Sequence, residues 1–262
     1  MAKSVEFFDW KLDQSNPITS TFINYGKLYV SRMPDMHSAL HIGIVLEGTN
    51  CGRLGKDELI FPAGTFYLTA PWETHSTGAG DGARLLLITL DNRSLNEFFC
   101  SCSGELAALL RMTPALRMEH INRSEVISVL IEKIICSAKG QSSRRQQLRL
   151  WHAVLELFME IIPENVENLP ANDDYLRMLP VLEKLGSKML TLSEAAKLCN
   201  LSISRFSTLF KEFSGLSFCK YERNFRLNGA QSAIRRGATL KEAAAAWDFC
   251  DKSHLARLLK NL

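Results

Sequence analysis

Long apolar runs are missing from this chain of 262 residues. No stretch approaches the roughly 20 apolar residues of a membrane-spanning helix, and the opening MAKSVEFFDWKLDQSN holds no apolar segment of signal-peptide type. A membrane or exported protein is therefore not expected, and the cytoplasm is the expected compartment. Paired cysteines are missing as well. The seven cysteines (Cys51, Cys100, Cys102, Cys136, Cys199, Cys219 and Cys250) are odd in number and include no C-x-x-C pair, which argues against a disulfide scaffold or a zinc module. Reduced packing residues are the expectation, with Cys100 and Cys102 the one close pair. Neither a phosphate-binding glycine loop nor a nucleophile with a base and an orienting partner is present, so no catalytic residue and no cofactor are expected.

A strong net charge is also lacking: the total is only +3. Its distribution is uneven, however. Residues 1 to 170 carry 16 Lys and Arg against 19 Asp and Glu, whereas residues 171 to 262 carry 15 against 9. The basic surplus of the last third suggests a polyanionic partner there, although a surplus of this size standing alone is an ordinary solvated face. Apolar content of 46% and charged content of 23% fit a globular protein, and the length favours two domains.

What is present changes character along the chain. TFINYGKLYV, ALHIGIVLE, DELIF, TFYLTA and ARLLLITL read as short strands separated by GTN, GK, PAG, PWE and GAGDG, which predicts a sandwich or small barrel over about residues 18–92. From about Ser94 the period turns helical up to Ile162. In SRRQQLRLWHAVLELFMEII, Leu148, Trp151, Leu155, Phe158 and Ile162 follow a 3,4,3,4 spacing on a single face. Packing on the barrel of the same chain and pairing with a second chain as a dimer seam are both open at this point. PENVENLPANDD, rich in Pro, Asn and acids, predicts a linker over 166–174. The expected organisation is α+β, with 1–165 forming one domain and an all-α domain over 175–262.

The all-α third repeats itself. TLSEAAKLCNLSISRFSTLFK (191–211) and TLKEAAAAWDFCDKSHLARLLK (239–260) share the opening Thr-Leu-x-Glu-Ala-Ala, with starts 48 residues apart and ends 49 apart. Thr191 with Glu194, and Thr239 with Glu242, have capping-box spacing, so each copy begins a helix. Small alanines then allow close helix crossing. After the turns CNLS and DFCD, a second helix begins, capped by Ser202 in one copy and by Asp251 or Ser253 in the other. Its inward positions are Phe206, Leu209 and Phe210, or Leu255, Leu258 and Leu259. The opposite face carries Ser204, Arg205, Ser207, Thr208 and Lys211, or Lys252, Ser253, His254, Arg257 and Lys260. Two short helices joined by a tight turn, the second with a basic, hydroxyl-rich face, form a helix-turn-helix, and two such units can enter successive major grooves about 34 Å apart. Gly215 breaks the chain between them, and a helix from about Ser217 to Arg235 separates the units.

The residues LSEAAKLCNLSISRFSTLFKEFSGLSFCKYERNFRLNGAQSAI followed by TLKEAAAAWDFCDKSHLARLLK resemble the DNA-binding domain of AraC/XylS-type transcription regulators over about 175 to 262. FPAGTFYLTAPWETH is similar to a stretch of the cupin-like effector domain of such proteins. The resemblance implies a cupin-like barrel, a sequence-specific transcription regulator, usually an activator, and as partners double-stranded promoter DNA, RNA polymerase, a small-molecule effector and a second copy of the chain. It also exposes departures. Thr208 stands where an arginine is usual, Asp248 where the second turn usually has glycine, and the chain ends at Leu262 without the usual closing Gly-x-x-Pro and Tyr-Arg segment.

Arg257 is the expected base reader, because a guanidinium grips guanine O6 and N7 together. Arg205, Lys211, Lys260 and the Arg235-Arg236 pair suit phosphates. Tyr25, Tyr29, His41, Phe66, Trp72 and His75 are candidate effector-pocket residues, against the plainer reading of strand aromatics as core. No metal is expected. HSALHIGIVLEG lacks the His-x-His and following Glu of metal-binding cupins, and His37 and His41 on one strand would stand about 13 Å apart. The competing readings are a metal-dependent cupin enzyme with a helical tail, and an effector-independent regulator controlled by a protein partner.

Overall fold

A computed structural model describes residues 12, 14–25, 37–55, 57–79, 82–121, 126–140, 143–165, 173–185, 189–235 and 237–260. Its described residues separate into two compact units, one of residues up to 165 apart from His37, the other of residues from Asp173 onward together with His37. The first is built on seven strands: β1 (Ile18–Asn24), β2 (Leu40–Glu47), β3 (Thr49–Leu54), β4 (Asp57–Pro62), β5 (Phe66–Thr69), β6 (His75–Ala79) and β7 (Arg84–Leu90). They form two antiparallel sheets in the orders β1-β7-β2-β5 and β4-β3-β6.

The pattern of each strand explains its place. LHIGIVLE and RLLLITL are apolar almost continuously, and β2 and β7 occupy the sheet centre, where both faces are covered. β3 and β4 alternate between buried and exposed positions, and each leaves one face to solvent. Neither β3 nor β6 stands out as a strand in the sequence. TNCGRL and HSTGA are short on β-branched and aromatic residues and gain strand geometry from antiparallel pairing with their neighbours rather than from propensity.

Five helices follow in this unit: α1 (Asn92–Phe98), α2 (Ser103–Arg111), α3 (Pro114–Ile121), α4 (Ile127–Ala138) and α5 (Arg144–Ile161). A 3-10 turn over Cys100–Cys102 lies between α1 and α2, and α3 is an element that no periodicity announced. Leu106, Leu109, Ile134, Leu150, Val154 and Phe158 share one core with Ile42, Ile44, Leu86 and Ile88, so the helices cover the first sheet. Arg117 of α3 is completely buried. Its guanidinium donates to the carbonyls of Leu68 and Leu110 and, at 2.5 Å, to the Glu73 carboxylate. Glu73 also accepts from the backbone N–H of Ala70, closing a turn in which Trp72 adopts a left-handed φ of 62°. A buried charge needs this degree of satisfaction, and the pair ties α3 to the end of β5.

The regular elements among the described residues of the second unit are helices: α6 (Asp173–Leu182), α7 (Leu192–Leu198), α8 (Ile203–Ser214), α9 (Phe218–Arg235), α10 (Leu240–Ala246) and α11 (Lys252–Leu259). Gly215, at φ 75°, closes α8 in the left-handed conformation that glycine tolerates best. Among the described residues no helix is long and apolar enough to cross a membrane.

Candidate nucleic-acid interface

The repeated text folds into a repeated structure. Thr191 caps α7 and Thr239 caps α10. In both, the Thr hydroxyl accepts from the Glu backbone N–H at 3.2 Å, and the Glu carboxylate accepts from the Thr backbone N–H at 2.8 Å. These hydrogen bonds hold the exposed Glu242 carboxyl below its ordinary range. Each first helix then ends the same way. Asn200 (φ 53°) and Asp248 (φ 54°) turn left-handed, and the next N–H reaches back to a carbonyl five residues earlier, Leu201 to Ala196 and Phe249 to Ala244, both at 2.9 Å. Asp248 thus holds the conformation a glycine usually takes in this turn.

The one-residue difference between the copies lies after that point. The first turn passes from Asn200 through Leu201 to the cap Ser202; the second passes from Asp248 through Phe249 and Cys250 to the cap Asp251. Of the two candidate caps, Asp251 is the one used. It accepts from His254 N–H at 2.7 Å, and that bond is the main reason its carboxyl titrates below the usual range.

Both second helices turn their apolar sides inward. Phe206, Leu209, Phe210 and Leu255 are buried, and Leu258 and Leu259 pack at the edge of the second core. On the opposite faces, Ser204, Arg205, Thr208, Lys211, Lys252, Ser253, Arg257 and Lys260 are exposed, with Ser207 and His254 half-buried. The ten residues singled out in the sequence therefore lie on two outward helix faces of one unit. A basic and hydroxyl surface on the second helix of a helix-turn-helix can donate to phosphates and to base edges.

Sequence patterning did not reveal what holds the second turn. Arg226 of α9 donates to the Glu222 carboxylate from Nε (2.7 Å) and Nη2 (3.2 Å), and from Nη1 to the carbonyls of Trp247 (3.2 Å) and Asp248 (2.9 Å). Its guanidinium carbon also lies 5.0 Å from the centre of the Phe249 ring. The Glu222–Arg226 spacing of four residues on a helix was the available signal. Gly229 gives Trp247 its place, because a Cβ there would come within 2.2 Å of the indole ring.

In the barrel unit the candidate pocket residues do not assemble as expected. Phe66 is fully buried in the core under the helices, Tyr25 packs half-buried on a different apolar cluster around Tyr67 and Phe61, and Tyr29 lies outside the described residues. Trp72 is in the turn after β5. His41 and His75 do come together, with ring centres 5.5 Å apart. His41 is buried, faces Thr89 across the β2–β7 register and meets its hydroxyl through Nδ1 at 3.0 Å. Burial first, and the neighbouring His75 second, push its pKa well down, so the imidazole is neutral. His75 Nδ1 lies 2.9 Å from the Glu73 carbonyl. His37 precedes β2 instead of lying on it, so the strand spacing does not apply to it.

Of the two readings open for the α5 stripe, packing within its own unit is the one seen for most of it. Leu155 and Phe158 are buried within their own unit, Trp151 and Ile162 pack against the same core, and only Leu148 is well exposed. The buried stripe is Leu150, Ala153, Val154, Leu155, Leu157, Phe158 and Ile161, broader than the heptad face because α5 packs on both α4 and β1.

Residues 195–262 match the family model described as a helix-turn-helix domain. Among solved structures, ToxT from Vibrio cholerae in its P21 form is similar over 93% of this chain and 94% of that chain, at 9% identity and a TM-score of 0.53. ToxT of Vibrio cholerae O395 bound to (E)-4-(8-methylnaphthalen-1-yl)but-3-enoic acid is similar over 93% and 94%, at 8% identity and 0.52. Unsaturated fatty acid bound ToxT from strain SCE256 is similar over 94% and 91%, at 10% identity and 0.51. No curated protein matches the sequence. Residues 195–262 are accordingly of the helix-turn-helix kind, on a chain that shares the fold of ToxT.

Proposed function

We propose that this chain is a sequence-specific DNA-binding transcription regulator. The observation that carries the proposal is the pair of identically capped helix-turn-helix units whose second helices bury Phe206 or Leu255 and expose Arg205 and Lys211, or Lys252, Arg257 and Lys260. Arg257 reads guanine through O6 and N7, worth about 1 to 3 kcal/mol of discrimination. Lys211, Lys260 and Arg205 hold phosphates, while Ser204, Ser207, Thr208, Lys252, Ser253 and His254 lie along base edges. Residues 1–165 act as an effector and self-association domain, 166–174 as the linker and 175–262 as the DNA-binding domain. The regulator acts in the cytoplasm, as a dimer that engages RNA polymerase and activates transcription. Structures of ToxT carry an unsaturated fatty acid or a naphthyl-substituted butenoic acid. In this chain a small apolar acid is accordingly the first effector to try. Its effect requires that it bind the DNA-competent arrangement and the alternative with different affinities.

Selection of bound duplexes from a random pool tests the proposal. The expected result is one enriched site spanning two successive major grooves, bound less tightly as salt rises. Failure to enrich any sequence contradicts it. His41 and His75 favour a second reading for the barrel, a bound transition-metal ion, and metal analysis of the purified protein separates the two.

A further inference from the structure

Asp248 does more than occupy a left-handed turn. Its Oδ2 accepts a hydrogen bond from the backbone N–H of Met189 at 2.9 Å, across 59 residues of sequence. Met189 stands two residues before Thr191, the cap of the first helix-turn-helix. The backbone carbonyl of the same aspartate is gripped by Arg226 of the helix between the two units, and Arg226 is held in turn by Glu222, whose side chain is only 8% exposed. A continuous polar chain therefore runs from the intervening helix, through the second turn, to the entry of the first unit. The Asp248 carboxylate thus has a backbone donor.

We propose that Asp248 is a positioning residue that locks the two helix-turn-helix units at one separation, so that both second helices engage successive grooves together. This rests on the DNA-binding reading above. A glycine at φ 54° is unstrained, so Asp248→Gly keeps the turn and the Arg226 contacts to the backbone carbonyls while deleting only the link to Met189. Asp248→Asn keeps an acceptor oxygen and removes the charge.

The test compares each variant's affinity for the full two-groove duplex with its affinity for a duplex holding only the first groove. Asp248→Gly is expected to lower the full-to-half ratio about three- to tenfold, the range for losing one such hydrogen bond, with Asp248→Asn within about twofold of wild type. An unchanged ratio in Asp248→Gly overturns the proposal. Equal losses in both variants also overturn it, because charge and not the link would then be responsible. Should wild-type protein bind no duplex, the regulator reading fails, and amide exchange at Met189 still decides the lock. Faster exchange in Asp248→Gly supports it, and unaltered exchange overturns it.

Discussion

The first second-position helix, α8, exposes two hydroxyl residues, Ser204 and Thr208, beside Arg205 and Lys211, whereas α11 exposes Lys252, Arg257 and Lys260 with one hydroxyl, Ser253. Their supports differ in the opposite sense. Under α8 lies an aromatic cluster of Phe206, Phe210, Phe218 and Tyr221, with ring centres 5.2 to 5.6 Å apart. Under α11 lie Leu227, Ala230, Ala243, Ala244, Phe249 and Leu255, a core of smaller side chains reinforced by the Arg226 clasp. The unit with the aromatic cluster carries the milder surface, and the unit with the stronger cationic surface has the Arg226 clasp. The two copies thus share a backbone frame and differ in surface and support.

The largest expected effect sharpens the packing half of this contrast. Phe206→Ala should cost about 3 to 5 kcal/mol of unfolding free energy, because it removes a ring at 0% exposure from the aromatic cluster. Denaturant titration of the full chain measures it, and a loss below about 1 kcal/mol would show that the cluster is not what supports α8.

A smaller effect separates the two turns chemically. Cys199 follows α7, and burial pushes its thiol up to about 11, while Cys250 in the second turn is exposed. Because the thiolate is the nucleophile, alkylation near pH 8 should modify Cys250 at least about tenfold faster than Cys199. Equal rates, followed by mass spectrometry of the digested protein, would show that the first turn opens as readily as the second.

Much of this was legible in the sequence where local chemistry decides structure. Thr191 with Glu194 and Thr239 with Glu242 announced helix starts that the fold places at Leu192 and Leu240. The inward and outward faces of α8 and α11 followed from helical period alone. What escaped depends on contacts distant in sequence. β3 and β6 exist because neighbouring strands pair with them, and Arg117 is buried because Glu73 and the carbonyls of Leu68 and Leu110 surround it. The spacing on α5 left two readings open because a heptad count over two repeats does not distinguish a narrow interhelix stripe from a broader face shared by α4 and β1. His37 and His41 were separated on paper by strand geometry that begins only at Leu40.

The contrast between the two helices is tested most directly by Arg257→Ala, assayed by binding to the selected duplex and to duplexes altered at each base pair. The account predicts a loss of about 5- to 150-fold on the selected site, with base preference relaxed in the half contacted by α11 and kept in the other. Unchanged affinity and unchanged preference in a variant that remains folded would contradict it.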